Sequence, residues 1–238
     1  MIRKFLKLLA LSKTPLYRNA LSAGVGAAIE HAPFLRNHAF ATILDAGANK
    51  GQFALVARQY NPNAQIFSFE PLAAPAAIWR KAFSSDQRAR VLPVALGAGA
   101  SQQTIHISRR MDSSSLLPIG ALQTKIFPGT EEIGTETIQV DTLDAAMRDV
   151  EIASPALLKI DVQGFEMPLL EGAQTTLAKI DAIYAELSFV PLYEGQKLAG
   201  EVIQWLAERG FYLAGVYNMT YSDSGAAIQA DFQFQKMR

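Results

Sequence analysis

Short apolar runs alternate with longer amphipathic stretches along much of this 238-residue chain. Three apolar runs predict β-strands at 41–46 (ATILDA), 65–70 (QIFSFE) and 90–96 (RVLPVAL). The stretches between them predict helices at 52–60 and 73–83. Because strands and helices alternate, we expect a parallel sheet with right-handed crossovers.

The pattern changes between residues 103 and 140. Runs 103–108 and 136–140 alternate polar and apolar side chains, which predicts two added strands that form an inserted β-hairpin. Residues 109–134 lie between them and are rich in Ser, Gly and Pro. A connection of this length in a compact domain is usually functional or mobile, so we expect it to act as a lid.

The alternation of strands and helices resumes after residue 141. Helices are predicted at 142–148 (with Asp141 near its N-cap), 167–177 and 200–209, and strands at 156–161 and 182–187. The last two predicted strands, 211–217 and 228–234, have no helix between them and are expected to pair antiparallel. Since no repeat or linker divides this part of the chain, we expect one domain at 41–238, preceded by a helical extension at 1–40.

A glycine-containing turn follows the first predicted strand. Asp45 lies near the end of that strand, and Gly47 to Gly51 form a G-x-x-x-G turn before a helix. Glycines allow close backbone approach of a ligand, and a helix N-terminus offers free N–H groups. The spacing is neither the dinucleotide fingerprint nor a P-loop. Asp45 is therefore a candidate to accept a hydrogen bond from an ammonium group, and a purely structural turn is the alternative.

Acidic residues also end the neighbouring strands. Glu70 ends the second strand and is followed by Pro71, and an acid there can accept hydrogen bonds from ribose hydroxyls. Asp161 and Glu166 follow strand 156–161, and Glu186 ends the next strand. Ligands of open α/β sheets bind at this carboxyl edge. The alternative for Glu166 is a charge favoured by the dipole at a helix N-terminus.

As an ordered set, these motifs resemble the FkbM-type family of S-adenosylmethionine-dependent methyltransferases. The resemblance rests on LDAGANKG (44–51), FEP (69–71), VALG (94–97), the serines at 113–115, LKIDVQGFE (158–166), LLEGA (169–173), Glu186, LYE (192–194) and the segment 229–234. Many members carry Glu where this chain has Gln163, which removes a metal ligand or base at that position.

The resemblance implies a three-layer α/β fold: a Rossmann-like methyltransferase sheet of seven strands, mostly parallel with an antiparallel last strand. It implies O-methylation of a hydroxyl on a sugar or natural-product acceptor. It assigns the adenosylmethionine site to Asp45, Gly47, Asn49, Gly51, Glu70, Pro71, Ala95, Leu96 and Ser115.

Catalysis by carboxylates is expected because an acceptor alcohol needs a base to take its proton. The candidates are Asp161, Glu186 and Glu166. We expect catalysis without a metal. In the metal-dependent alternative, Asp161 and Glu186 are the ligands, and their oxygens suit Mg or Mn.

Composition excludes several other chemistries. Half of the residues are hydrophobic, the formal net charge is zero and Cys is absent. A disordered chain, a disulfide scaffold and a Cys nucleophile are therefore excluded. With no overall basic field, we expect a small-molecule or glycan hydroxyl acceptor and no nucleic-acid partner. Two rival functions stay open, an NAD-dependent oxidoreductase on a similar sheet and a non-catalytic binding protein that retains the fold.

Residues 1–18 carry a local basic excess. Five cations precede the first acid, Glu30: Arg3, Lys4, Lys7, Lys13 and Arg18. The favoured interpretation is a helix packed on the domain or a partner, and the alternative is a short amphipathic helix in weak contact with an anionic membrane surface. No run is long enough to span a bilayer. We expect a cytoplasmic protein, with attachment to the inner face of a membrane and a homodimer as further hypotheses.

Overall fold

A computed structural model describes residues 14–237 of the chain. The helices are α1 (Pro15–Ser22), α2 (Ala32–Leu35), α3 (Gln52–Tyr60), α4 (Ala73–Ala82), α5 (Ala121–Ile126), α6 (Leu143–Ala146), α7 (Glu166–Glu171), α8 (Gln174–Leu177) and α9 (Ala199–Ala207). The strands are β1 (Thr42–Ala46), β2 (Gln65–Phe69), β3 (Ala89–Leu92), β4 (Ala95–Leu96), β5 (Ser101–Ser108), β6 (Glu132–Asp141), β7 (Ala156–Ile160), β8 (Ala182–Ser188), β9 (Phe211–Tyr221) and β10 (Ala227–Lys236). Two 3₁₀ turns lie at Ile29–His31 and Met111–Ser113.

The main sheet has seven strands in the order β3-β2-β1-β7-β8-β10-β9. The first five are parallel, and β10 runs antiparallel to both of its neighbours. Helices cover both faces, because Ile43 packs with α1 to α4 while its neighbour Leu44 packs with α6 to α9. The predicted three-layer fold with an antiparallel last strand is confirmed.

The predicted inserted hairpin is also confirmed, as β5 and β6 pair antiparallel in a second, three-stranded sheet. The prediction of a single strand at 90–96 is wrong. Pro93 has no N–H to give to a ladder, so β3 ends at Leu92 and the chain moves away from the main sheet. Ala95 then pairs with Val140 of β6 in the second sheet.

Two predicted helices differ from the observed ones. Helix α6 is shorter than predicted, and its N-cap is Thr142 rather than Asp141, since the Thr142 hydroxyl accepts from the Ala145 N–H at 3.0 Å. The predicted helix 167–177 is divided into α7 and α8 near Gly172. A Cβ at Gly172 would overlap the Gly97 carbonyl oxygen, so this close approach requires glycine.

Residues 14–40 pack against the main sheet instead of standing apart from it. Tyr17, Phe34 and Phe40 are buried in the same cluster as α3 and α4, and the Phe34 ring stacks on Tyr184 of β8 at 4.2 Å. The boundary at residue 40 stays a prediction. Residues 1–13, which hold most of the basic segment, lie outside the described residues. Between residues 14 and 237, no helix is long and apolar enough to cross a bilayer.

Candidate active site

The turn after β1 brings three chain segments together. Gly47 has a φ of +74°, and a Cβ there would overlap the Asp161 carbonyl oxygen, so only glycine fits. The N–H groups of Gly47 and Ala48 both donate to the Phe69 carbonyl oxygen at 3.1 Å. The turn is therefore held between the carboxyl ends of β2 and β7.

Glu70 fixes the same turn from the end of β2. Its carboxylate accepts from the Asn49 N–H at 2.8 Å and from the Leu72 N–H at 2.9 Å. Burial raises the pKa of Glu70 to about 7, although these hydrogen bonds oppose the shift. Each carboxylate oxygen keeps a second lone pair for a ligand.

An apolar cavity opens beside this turn, with about 600 Å³ of empty space if the part open to solvent is counted. Seven of the nine predicted cofactor residues line it: Gly47, Asn49, Glu70, Pro71, Ala95, Leu96 and Ser115. The other two, Asp45 and Gly51, do not line it.

Asp45 lies behind the turn and is fully buried. Its Oδ1 is 3.2 Å from Lys159 Nζ, and Ser68 Oγ donates to its Oδ2 at 3.3 Å. The ammonium that Asp45 contacts is therefore that of Lys159, and a contact with a cofactor ammonium stays a prediction. Burial lowers the pKa of Lys159, but Asp45 and Asp161 outweigh that effect and hold the pKa above its usual value.

A second, polar cleft adjoins the apolar cavity and encloses about 1490 Å³ counted in the same way. Its walls include the 3₁₀ turn at Ile29–His31, the segment 110–127 and strands β8 to β10. The two cavities share Gly47, Asn49, Asp112, Asp161 and Gln163. Molecules bound in the two cavities would therefore meet beside Asp161.

Gln163 organises the polar side of this junction. Its amide nitrogen donates to Asp161 Oδ1 at 2.6 Å and to Glu186 Oε2 at 3.0 Å, and its amide oxygen accepts from the Tyr193 hydroxyl at 2.6 Å. The Ser115 hydroxyl donates to its backbone carbonyl at 2.6 Å. Burial, together with the nearby Asp161 and other carboxylates, raises the pKa of Glu186 well above its usual value.

The order of these elements matches a known family. The family model of the methyltransferase FkbM domain matches residues 45–213, which include the turn, Glu70 and the Asp161 junction. The chain belongs to the FkbM methyltransferase family. This confirms the family indicated by the sequence motifs.

Two curated relatives of this FkbM protein are methyltransferases. It is 31% identical over 160 residues to the 2-O-methyltransferase NoeI of Sinorhizobium fredii, covering 65% of this chain and 66% of the relative. It is 28% identical over 147 residues to the hexuronic acid methyltransferase AglP of Haloferax volcanii, covering 60% and 54%. The chain thus spans just under two thirds of the first relative and about half of the second.

Solved structures agree on the fold. A candidate O-methyltransferase from Klebsiella pneumoniae superposes with a TM-score of 0.54 at 15% identity, covering 100% of this chain and 96% of the other. A candidate rRNA methylase from Clostridium thermocellum has a TM-score of 0.50 at 9% identity, covering 88% and 94%. At these identities the likeness concerns the fold alone, which is the methyltransferase sheet.

Glu166 of this FkbM domain lines neither cavity. It is the first residue of α7, and its Oε1 accepts from the Gly164 N–H at 2.9 Å. Burial raises its pKa to about 7. Its catalytic role stays a prediction, and its position favours the alternative, a carboxyl that fixes the start of a helix.

Two parts of the site were not predicted from the sequence. Lys159 lies inside a strand that is buried on both faces. Because a buried charge needs an opposite charge beside it, this pattern indicates a buried acidic partner for Lys159. His31 precedes the family motifs, and no pattern in the sequence around it indicates a role. In the structure it lines the polar cleft, with Nδ1 3.2 Å from the Tyr184 hydroxyl and 3.3 Å from Asp231 Oδ2.

The Asp161 and Glu186 pair does not fit a metal well. Within residues 14–237, no group of three or more His, Cys, Asp or Glu side chains is arranged to hold an ion. The two carboxylates share the Gln163 amide nitrogen, which is a donor and therefore not a metal ligand. Catalysis without a metal stays a prediction.

Proposed function

We propose that this FkbM protein is an S-adenosylmethionine-dependent O-methyltransferase that acts on a sugar hydroxyl. The observation that carries the proposal is the meeting of an apolar and a polar cavity at Asp161. An apolar cavity suits the adenosine of the cofactor, and a polar cleft suits a hydroxylated acceptor. A natural-product scaffold with several hydroxyls is the second acceptor class.

The residues around the apolar cavity fit the cofactor. Asn49 Oδ1 is buried and has no hydrogen-bond partner among the described residues, so it is an acceptor that a ligand can satisfy. Glu70 lines this cavity at the end of β2, which supports a contact of its carboxylate with ribose hydroxyls, and Ala95 and Leu96 line the same cavity with apolar side chains. When bound, adenosylmethionine supplies an electrophilic methyl group on a sulfonium.

Asp161 is the residue that we assign to the acceptor hydroxyl. Its side chain is 35% exposed and lies at the junction, held by Gln163 at 2.6 Å and by Lys159 Nζ at 3.6 Å from its two oxygens. A carboxylate fixed in this way orients the hydroxyl and takes its proton during attack. Glu186, whose pKa is raised, lines only the polar cleft and supports Gln163.

The names of the relatives support an oxygen acceptor on a sugar. One is a 2-O-methyltransferase, and the other acts on a hexuronic acid, which is a sugar acid. Membership of a methyltransferase family argues against the NAD-dependent alternative. A cytoplasmic location, a membrane contact through residues 1–18, a homodimer and the absence of a nucleic-acid partner stay predictions.

The test measures binding and turnover separately. Calorimetry with S-adenosylhomocysteine and with NAD identifies the cofactor, and mass spectrometry detects methyl transfer to methyl glycosides. Asp161→Asn should lower kcat/KM at least about 100-fold and change the affinity for S-adenosylhomocysteine less than about threefold. Asp149→Asn, at an exposed position, is the matched control. Full activity in Asp161→Asn would contradict the assigned role, and binding of NAD alone would contradict the proposed function.

A further inference from the structure

A second polar group lines the cleft away from the junction. It consists of His31 in the 3₁₀ turn, Asn218 on β9 and Asp231 on β10. None of these residues lines the apolar cavity, so they lie apart from the site of methyl transfer. The proposed transfer uses none of them.

The two carboxylate oxygens of Asp231 differ in their hydrogen bonds within the described chain. Its Oδ2 accepts from the Asn218 amide at 2.6 Å and from the Tyr184 hydroxyl at 3.0 Å, and His31 Nδ1 lies 3.3 Å away. Its Oδ1 takes no hydrogen bond from residues 14–237, and the residue lines the cleft. Burial raises the pKa of Asp231, but the His31, Asn218 and Tyr184 contacts outweigh it and keep the pKa below its usual value. The free oxygen therefore belongs to a carboxylate.

His31 presents a second free acceptor. Its ring is held edge-on by Phe53 at 5.3 Å and by Tyr184 at 5.6 Å. Because Nδ1 lies 3.3 Å from the Asp231 carboxylate, we assign the proton of the neutral ring to Nδ1, which leaves the lone pair on Nε2. Within the described chain, Nε2 has no hydrogen-bond partner.

A β-bulge turns Asn218 towards this pair. Tyr217 pairs with Asp231 and Thr220 pairs with Gln229, so two residues of β9 oppose a single residue of β10. Asn218 also has a φ of +48°, a left-handed conformation that is uncommon outside glycine. Bulges and such strained residues are frequent beside binding sites, where they redirect a side chain.

The charge of the cleft limits what these acceptors can bind. The Lys and Arg side chains that line it each lie beside an acid, Lys159 at 3.2 Å from Asp45 and Arg110 at 3.5 Å from Asp112. Among the described residues, five acidic side chains line the cleft against these two cations: Glu30, Asp112, Asp161, Glu186 and Asp231. Free hydrogen-bond acceptors in a cleft with this excess of acids favour neutral hydroxyl donors and repel anions.

We propose that Asp231 Oδ1 and His31 Nε2 bind hydroxyls of a neutral saccharide acceptor, at positions other than the methylated one, and that the cleft discriminates against hexuronates. The proposal rests on the proposed function and narrows its substrate class. It also makes the segment before the methyltransferase motifs a part of the acceptor site.

The decisive variant is Asp231→Asn. Its amide oxygen can keep the three contacts at the Oδ2 position, and its NH₂ then replaces the free anionic acceptor with a neutral donor. The probes are methyl glycosides and disaccharides of glucose, galactose and mannose, compared with those of the matching hexuronic acids. Asp223→Asn, at an exposed position in the turn between β9 and β10, is the matched control.

We expect wild type to prefer the neutral glycosides. In Asp231→Asn, the KM for the neutral glycosides should rise at least tenfold, and kcat should change less than threefold. The preference of the enzyme for neutral glycosides over hexuronates should fall at least tenfold. The melting temperature and the affinity for S-adenosylhomocysteine report folding, and His31→Gln should give the same KM increase if Asp231→Asn does not fold.

Two results would overturn the inference by different routes. The first is methyl transfer by wild type together with an unchanged KM and an unchanged preference in both variants, provided that both fold. A wild-type preference for hexuronates counts equally. Either outcome rules out this acceptor site and leaves the proposed methyltransferase activity intact. Binding of S-adenosylhomocysteine with no transfer to any glycoside removes the proposed sugar acceptor itself, and this inference with it.

Discussion

The side-chain amide of Gln163 donates to Asp161 Oδ1 over 2.6 Å. The same nitrogen reaches Glu186, so one neutral amide joins two carboxylates at the junction of the cavities. A glutamate at this position would be a third carboxylate, which cannot donate to the other two. The amide therefore performs the bridging that a cation would perform among three acids.

Replacing the amide tests this relationship. Gln163→Glu should lower the free energy of unfolding at pH 8 by about 1–3 kcal/mol, because the Asp161 and Glu186 carboxyl groups lose their shared donor beside a new charge. Added Mn²⁺ should raise the melting temperature of this variant and leave wild type unchanged, since three carboxylates suit a hard cation. Gln102→Glu, on an exposed face of β5, is the control. An equal effect of Mn²⁺ on wild type and variant would contradict the bridging role.

The buried pair of Lys159 and Asp45 gives a second prediction. Lys159→Met removes the ammonium and leaves the fully buried Asp45 carboxylate without its ion pair. Urea unfolding should show a loss of about 3–5 kcal/mol, and the double variant Asp45→Asn/Lys159→Met should recover part of it. The exposed Lys179→Met is the control. If the single variant is as stable as the control, the pair does not hold the turn.

Glu166 predicts how stability depends on pH. Burial raises its folded pKa to about 7, above the usual 4.5, so the folded state binds more protons between these values. The stability that its protonated form provides is therefore complete below pH 4.5 and is lost as the pH rises through 7. Over that window the loss amounts to about 3 kcal/mol. Glu166→Gln should flatten this part of the stability profile measured by urea unfolding, and the exposed Glu171→Gln should leave it as in wild type.

A comparison of Glu70 with Glu166 tests whether Glu70 binds the cofactor or is only a buried carboxyl group. Glu70 and Glu166 are both buried with pKa values raised to about 7, but Glu70 alone lines the apolar cavity. At pH 8, Glu70→Gln should weaken binding of S-adenosylhomocysteine at least about tenfold, because a charged acceptor is worth about 1.5–3 kcal/mol. Glu166→Gln should bind normally in the same calorimetric titration. Equal affinities of the two variants would remove Glu70 from the cofactor site.

The sequence predicted those parts of the molecule that depend on local pattern. Apolar runs located the strands of the main sheet apart from the end of β3, and the acids at strand ends placed Glu70 and Asp161 at one edge. The glycine at position 47 predicted the turn after β1. Each of these features depends on a few neighbouring residues, so it can be predicted from a single sequence.

The remaining features depend on distant contacts. Nothing near Pro93 indicates that the two residues of β4 join β6 instead of β3. The partner of Lys159 lies on another strand, and the partners of His31 lie on β8, β9 and β10. A periodicity read along the chain reports which face is buried and does not report which residues meet there.

Contacts between residues far apart in the chain, such as the stacking of Phe34 on Tyr184, have a consequence for the order of folding. His31 and Asn218, which share the polar cleft, are 187 positions apart in the chain, whereas the glycine turn and its Glu70 partner are only about twenty apart. Contacts between distant positions close slowly because chain entropy opposes them. During refolding, the contact between the turn and Glu70 should therefore form before the contacts that join His31 to β8, β9 and β10.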